Sequence, residues 1–322
     1  MTSCSNCGGI SPIHDEGEVS ITYGTGAGKR EVYRSEQELL ELLTALHRAD
    51  GEQRVRITGR SGAVAIDSGE LPLATYIARL HHADLTAIIK DKQFRCFMQP
   101  IVRTADESVY AYEFLLRPLP GGADFQAARL FEVARQTGLH SFLDRQARIC
   151  AIETGARHLP HGIKRFINFL PSSIYNPSYC LTHTFDAIRS HAQQPSDYVF
   201  EVVETEKIDD VRHLQRVFDA YRTSGMRVAL DDVGQGSATP QLVCELRPDV
   251  VKIDRSLVTG CDHRPEQQRA IDEIIALAAS FGGEVLAEGI ETPAEWAYLR
   301  RTGVHFGQGY LLGRPAAEPL VS

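Results

Sequence analysis

A chain of 322 residues, 43% hydrophobic and 24% charged, carries enough apolar material for a large packed core and excludes a disordered or fibrous protein. A formal net charge of −8 argues against general binding of DNA or other nucleic acid, which wants a basic face. Seven scattered cysteines, no apolar run of membrane-spanning length and no apolar h-region near the N-terminus point to a cytoplasmic protein with reduced thiols.

Residues 1–17 read as a flexible tail. Cys4-x-x-Cys7 with His14 could begin a zinc site, but no fourth ligand stands nearby at finger spacing. Residues 18–80 read as a small α+β module whose role the sequence leaves open. Residues 19–23 alternate like a strand, and 31–33 supply a hairpin partner. Ser35 can cap a helix that carries Leu39, Leu40, Leu43 and Leu46 on one side. Two more strands are expected at 54–58 and 63–66. The Gly-Thr-Gly-Ala-Gly-Lys run at 24–29 imitates a phosphate loop. Tyr23 stands where the first glycine belongs and Arg30 replaces the metal-binding hydroxyl, so a hairpin turn is the better reading.

From residue 84 to 318 short apolar strands alternate with amphipathic helices. A lead-in helix at 84–92 precedes strands at 94–102 and 109–116 and helices at 125–138 and 142–157. Strands follow at 165–170 and 198–203. Val211, Leu214, Val217, Phe218 and Tyr221 then fall at helical spacing, with Gly225 as a stop. The run 227–230 is a buried strand that delivers Asp231 and Asp232 into a glycine turn. Thr239 caps a short helix with Pro240 at its first position, and a strand at 250–251 presents Lys252. Pro265 opens the next helix, 284–287 is a strand, and Thr292-Pro-Ala-Glu295 is a capping box. A last strand includes Phe306 and leads to Gln308.

This alternation predicts an α/β fold with a mainly parallel sheet, best matched by a (β/α)8 TIM-like barrel; an open α/β sheet is the runner-up. Glu113, Asn168, Glu201, Asp231, Lys252, Glu288 and Gln308 each fall within or at the end of a successive apolar run. One acid in an apolar strand is usually a paired structural group. A polar residue on strand after strand points instead to a site at the C-terminal mouth. An acidic pair and a lysine on neighbouring strands suit metal-assisted chemistry on a phosphate ester.

The same residues resemble the EAL-domain phosphodiesterases, which hydrolyse cyclic di-GMP. The resemblance covers residues from about 84 to 316. It is carried by Gln99-Pro-Ile101, Tyr112-Glu-Phe-Leu-Leu-Arg117, Ile167-Asn-Phe169, Glu201-Val-Val-Glu204, Asp231-Asp232, Lys252-Ile-Asp254, Ala287-Glu-Gly-Ile-Glu291 and Gln308-Gly-Tyr310. It implies Glu113, Asn168, Glu201 and Asp231 around one cation, and Asp231 and Asp232 at a second with Glu288 close by. Lys252 would contact the attacking water, Gln308 would orient it, and Gln99 and Arg117 would hold the dinucleotide. Glu204 would hold the loop after the acidic pair. The product would be linear pGpG, and the assembly a homodimer. Oxygen donors without histidine or cysteine favour two Mg²⁺ or Mn²⁺ ions over Zn²⁺. Two cations near Lys252 would disfavour its ammonium form, which suits a base.

Three departures stand out. Phe114 replaces an alanine beside Glu113, Val203 replaces a threonine, and the loop after Asp232 reads Val-Gly-Gln-Gly-Ser-Ala-Thr where the family usually has Phe-Gly-Thr-Gly-Tyr-Ser-Ser. In the family that loop couples dimerisation to metal binding. The alternative to an active enzyme is therefore a catalytically weak or inactive domain that acts as a cyclic di-GMP receptor or a protein-interaction module.

Overall fold

The computed structural model describes residues 13, 16–22, 29–49, 53–61, 64–202, 210–234 and 239–320. The candidate zinc ligands Cys4, Cys7 and His14, the turn at 24–28, Val203, Glu204 and Gly236 lie outside the described residues. Contacts divide the chain into two compact units. One holds the residues up to Phe94 together with Pro118–Leu143, and the other holds Arg95–Arg117 and everything from Asp144 onward.

The first unit contains β1 (Gly17–Thr22), β2 (Lys29–Tyr33), α1 (Glu36–Ala49), β3 (Arg54–Ser61), β4 (Val64–Pro72), α2 (Leu73–His81), α3 (Ala83–Lys90) and α4 (Ala127–Gln136). Its four strands form an antiparallel sheet in the order β2-β1-β3-β4. Strand alternation sends Val19, Ile21, Val55 and Ile57 to one face. There they pack with Leu39 and Leu43 of α1 and with Leu73 and Tyr76 of α2. Ser35 starts α1 as expected, its hydroxyl accepting from the Glu38 amide at 3.1 Å. Helix α2 was not foreseen, although Leu73, Tyr76, Ile77 and Leu80 keep helical spacing behind Pro72. By contacts, α3 and α4 group with these N-terminal elements, while both fall within the stretch read as barrel.

The second unit is a closed eight-stranded barrel: β5 (Phe94–Arg103), β6 (Val109–Pro118), β7 (Lys164–Phe169), β8 (Tyr198–Val202), β9 (Arg227–Val233), β10 (Val250–Ile253), β11 (Glu284–Ala287) and β12 (Phe306–Gly307). Neighbours from β6 round to β12 run parallel, but β5 runs against β12. The TIM-like (β/α)8 barrel expected from the sequence is present, in a mixed form whose first strand is reversed. The reason was legible in the sequence. Only residues 104–108 separate β5 from β6, and a parallel crossover needs a dozen residues or more. Around the strands lie α5 (His140–His158), α6 (Pro177–Cys180), α7 (Thr182–Ser190), α8 (Val211–Thr223), α9 (Pro240–Leu246), α10 (Arg255–Val258), α11 (Pro265–Ala279) and α12 (Pro293–Thr302). Thr239 caps α9, and Thr292 with Glu295 forms the expected capping box on α12. Among the described residues no helix is long and apolar enough to cross a membrane.

The barrel is filled by a layer to which every strand contributes: Ile101, Ala111, Phe166, Val199, Ala229, Val250, Leu286 and Phe306, with Tyr110 stacked on Phe306 at 4.0 Å. This layer is the floor of the site. Two positions further along each parallel strand stand Glu113, Asn168, Glu201, Asp231, Lys252, Glu288 and Gln308. A two-residue step returns a side chain to the same face. On the reversed β5 the step runs backward, from Ile101 to Gln99.

Candidate active site

Glu113 is buried on β6 and takes two hydrogen bonds, from Asn168 Nδ2 at 3.0 Å and from Gln308 Nε2 at 2.7 Å. Burial pushes its pKa up, but the Lys252 ammonium and those two amides outweigh it and hold the carboxyl below its ordinary value. The donation fixes the Asn168 amide so that its carbonyl oxygen is the atom left to ligate. Phe114, the departure beside Glu113, faces the other way. Its ring lies where a Cβ on Gly155 of α5 would come within 3.1 Å of it. The glycine in mid-helix makes room for the larger side chain, so Glu113 keeps its direction.

Lys252 is 1% exposed, and its Nζ sits 2.8 Å from Glu201, 3.0 Å from Asp231 and 2.6 Å from Glu288. Burial works against its charged form. Asp231, Glu201, Glu288 and Glu113 together outweigh that and hold the pKa well above the ordinary lysine value. The expectation of a disfavoured ammonium rested on nearby cations; among the carboxylates alone the opposite holds. Burial in turn pushes up the acids. Glu201 stands well above its ordinary range, Asp231 is raised, and Glu288 is pushed up to about 8, each partly relieved by Lys252. Neither Glu201 oxygen receives a well-aligned hydrogen bond, and Oε2 meets Lys252 only as an ion contact. Lys252 offsets part of the cost of burying this carboxyl, and a further positive charge nearby would offset more.

The acidic pair required more than strand geometry. Adjacent residues of a regular strand point to opposite faces. Here β9 continues through both acids, its register with β10 shifts before Val233, and Asp232 adopts a left-handed φ of 54°. Aspartate tolerates that conformation better than most residues. The kink brings oxygens of Asp231, Asp232 and Glu288 within 4.8 Å of one another. Gly234 follows with φ +106°, and a Cβ there would collide with Leu257. Only a glycine fits, so the turn keeps its first glycine despite the altered loop sequence.

The oxygen-only donor set, the three converging acids and the under-bonded Glu201 fit divalent cations of the hard type. Asp231, Asp232 and Glu288 bring three such oxygens together, while Asn168 is held by Glu113 and Glu201 stands against Lys252.

A cavity of about 150 Å³ opens beside this cluster, lined by Gln99, Glu113, Glu288 and Gln308 and rimmed by Arg255, Glu291 and Tyr310. Gln99 Nε2 donates to the Gly313 carbonyl at 3.2 Å. Arg117 is not among the lining residues; its guanidinium donates to the Leu116 carbonyl at 2.8 Å. Arg255 and Tyr310 were not foreseen. Arg255 lies three residues beyond Lys252 and within 3.5 Å of Glu291, and the Arg314 guanidinium covers the Tyr310 ring at 4.1 Å. Their nearness to the strand ends was the available signal. Glu204, expected to hold the loop, lies outside the described residues.

Comparison with known proteins identifies the family. The family model described as the EAL domain matches residues 82–315. Over 225 residues the chain is 29% identical to the probable cyclic di-GMP phosphodiesterase PdeG of Escherichia coli K12, covering 68% of this chain and 44% of that protein. The chain thus spans less than half the length of that relative. It superposes with a TM-score of 0.64 on a standalone versatile EAL protein from Vibrio cholerae O395 in its c-di-GMP-bound form, at 29% identity over 71% of this chain and 95% of that one. The Klebsiella pneumoniae BlrP1 manganese/cy-diGMP complex gives 0.63, at 27% identity over 70% of this chain and 56% of that one. With the matched residues forming the barrel and its acidic mouth, the chain belongs to the EAL-domain family.

Proposed function

We propose that the protein hydrolyses cyclic di-GMP to linear pGpG in a two-cation site loaded with Mg²⁺ or Mn²⁺. The observation that carries this reading is the convergence of acids rooted in separate strands, with oxygens of Asp231, Asp232 and Glu288 within 4.8 Å. Among the described residues these acids outnumber the lysine that stands between them. The relatives, a probable cyclic di-GMP phosphodiesterase and two proteins in complex with cyclic di-GMP, support the substrate.

In this reading Glu113, Asn168, Glu201 and Asp231 hold one cation, and Asp231 and Asp232 hold the second with Glu288 beside it. When bound, the cations acidify a water and neutralise phosphate oxygen, which answers the anionic substrate and its poor leaving group. Lys252 presents its ammonium to the water and to the developing charge. Gln308 donates to Glu113, which leaves its buried Oε1 without a partner and ready to accept from that water. Gln99 and Arg117 hold the dinucleotide, and Arg255 and Tyr310 at the rim are available to its bases. A homodimer and a cytoplasmic location belong to the same proposal.

The test is incubation of the full chain with cyclic di-GMP in Mg²⁺, in Mn²⁺ and in EDTA. Metal-dependent release of pGpG is the expected result. Tight binding in Mn²⁺ without turnover would replace the enzyme with a receptor that only binds the dinucleotide.

A further inference from the structure

Cys96 lies on β5 with its side chain buried, and Cys150 lies half-buried on α5. Their sulfurs are 3.5 Å apart, and both are free thiols. Alternation along β5 puts Cys96 on the opposite face from Gln99, against the helix layer and away from the barrel interior. A disulfide needs about 2.05 Å between sulfurs, so closure asks for roughly 1.5 Å of movement, within reach of side-chain rotation and slight settling of a helix on a strand.

We propose that Cys96 and Cys150 form a reversible disulfide in response to a peroxide, so that this pair is an oxidative modification site that ties the Gln99 strand to α5. The two thiols have different parts. Cys96 donates its S–H to the Cys150 sulfur. That hydrogen bond holds the Cys150 pKa below its ordinary value, while Cys96 is pushed well above its own by the same bond and by burial. Cys150 is also the more accessible of the two. The less buried sulfur is the one that meets an oxidant first, and it reacts through its ionised fraction.

The chemistry balances with a hydroperoxide as oxidant. The Cys150 thiolate attacks one peroxide oxygen, the O–O bond breaks, and the departing oxygen leaves as water or alcohol after taking a proton. Cys150 is now a sulfenic acid. The Cys96 sulfur attacks the Cys150 sulfur, the S–O bond breaks, and the hydroxide takes the Cys96 proton and leaves as water. Two thiols have lost two hydrogens and two electrons, and one peroxide has been reduced. A thiol reductant reverses the bond by exchange. In a reducing compartment such a bond is transient, which suits sensing better than structure.

The test uses the full chain carrying Cys4→Ser and Cys7→Ser, which removes a competing pair. The protein is treated with hydrogen peroxide, alkylated and digested, and its cysteine peptides are mapped by mass. The expected product is a Cys96–Cys150 cross-linked peptide, lighter than the two thiol peptides by two hydrogens and lost on reduction, with Cys244 still alkylated. Before oxidation, Cys150 should alkylate about tenfold faster than Cys96. Adding Cys150→Ser should leave Cys96 reduced after the same treatment. Finding Cys150 as a sulfinic acid beside a free Cys96 would overturn the proposal. So would finding both thiols still open to alkylation. If the serine variant does not fold, the peptide map of the parent chain decides alone. None of these readouts depends on phosphodiesterase activity.

Discussion

The two ends of the same barrel treat charge in opposite ways. At the N-terminal ends of the strands, acids and bases are matched. Arg227 pairs with Glu284 at 2.5 Å and donates to the Tyr110 hydroxyl at 2.9 Å. Arg222 pairs with Asp249 at 3.2 Å, and Lys164 and Arg165 share Asp197 at 3.3 and 3.5 Å. At the C-terminal ends, Glu201, Asp231 and Glu288 share Lys252, and Asp232 stands beside Asp231 and Glu288. The base ring is complete as it stands and works as structure. Among the described residues the mouth gathers more acids than the lysine beside them can pair, an arrangement that suits cations.

The sharpest test of this contrast is Glu113→Ala. It removes a carboxylate and strands two amide donors, and turnover of cyclic di-GMP should fall by roughly 10³-fold, a loss typical of removing one polar catalytic contact. Wild-type rates in that variant would overturn the assignment of Glu113. Lys252→Met should lower kcat by about 10²-fold, with affinity for the dinucleotide nearly unchanged in a binding titration. Lost binding at full kcat would contradict its role at the water.

Cations should stabilise the fold through the mouth alone. Saturating Mn²⁺, at about a hundred times its dissociation constant, adds roughly 2.7 kcal/mol, which is read as a higher Tm that EDTA reverses. Asp232→Asn should shrink that shift without lowering the cation-free Tm, because asparagine also tolerates the left-handed backbone there. Gly155→Ala, in the barrel wall, should cost about 1–3 kcal/mol by crowding Phe114 and Arg165, and a paired Phe114→Ala should recover part of it in thermal melts. The smallest effect belongs to the base. Arg227→Ala exchanges a half-exposed ion pair for water and should cost about 1 kcal/mol after solvent screening, with hydrolysis unchanged. A large loss of activity there would erase the distinction between the two ends.

Much of this was legible beforehand. Thr239 and Thr292 announced their helices through capping chemistry, which is local. The polar residues at successive strand ends were visible because each breaks an apolar run. Helix α2 was overlooked because its apolar spacing follows directly on a strand, with only Pro72 between them. The reversal of β5 was overlooked because apolar runs look alike in either direction; only the short link to β6 carried the information.

Taken alone, the sequence determined what depends on near neighbours: element type, helix ends, and the two-residue step that sets each polar side chain above the core layer. Tertiary structure decided what depends on distance through space. It closed the barrel and turned Asp232 beside Asp231. It left Arg117 out of the cavity lining and brought Arg255 to the rim. It also set the surroundings of Lys252, because the carboxylates within about 3 Å that raise its pKa come from strands far apart along the chain.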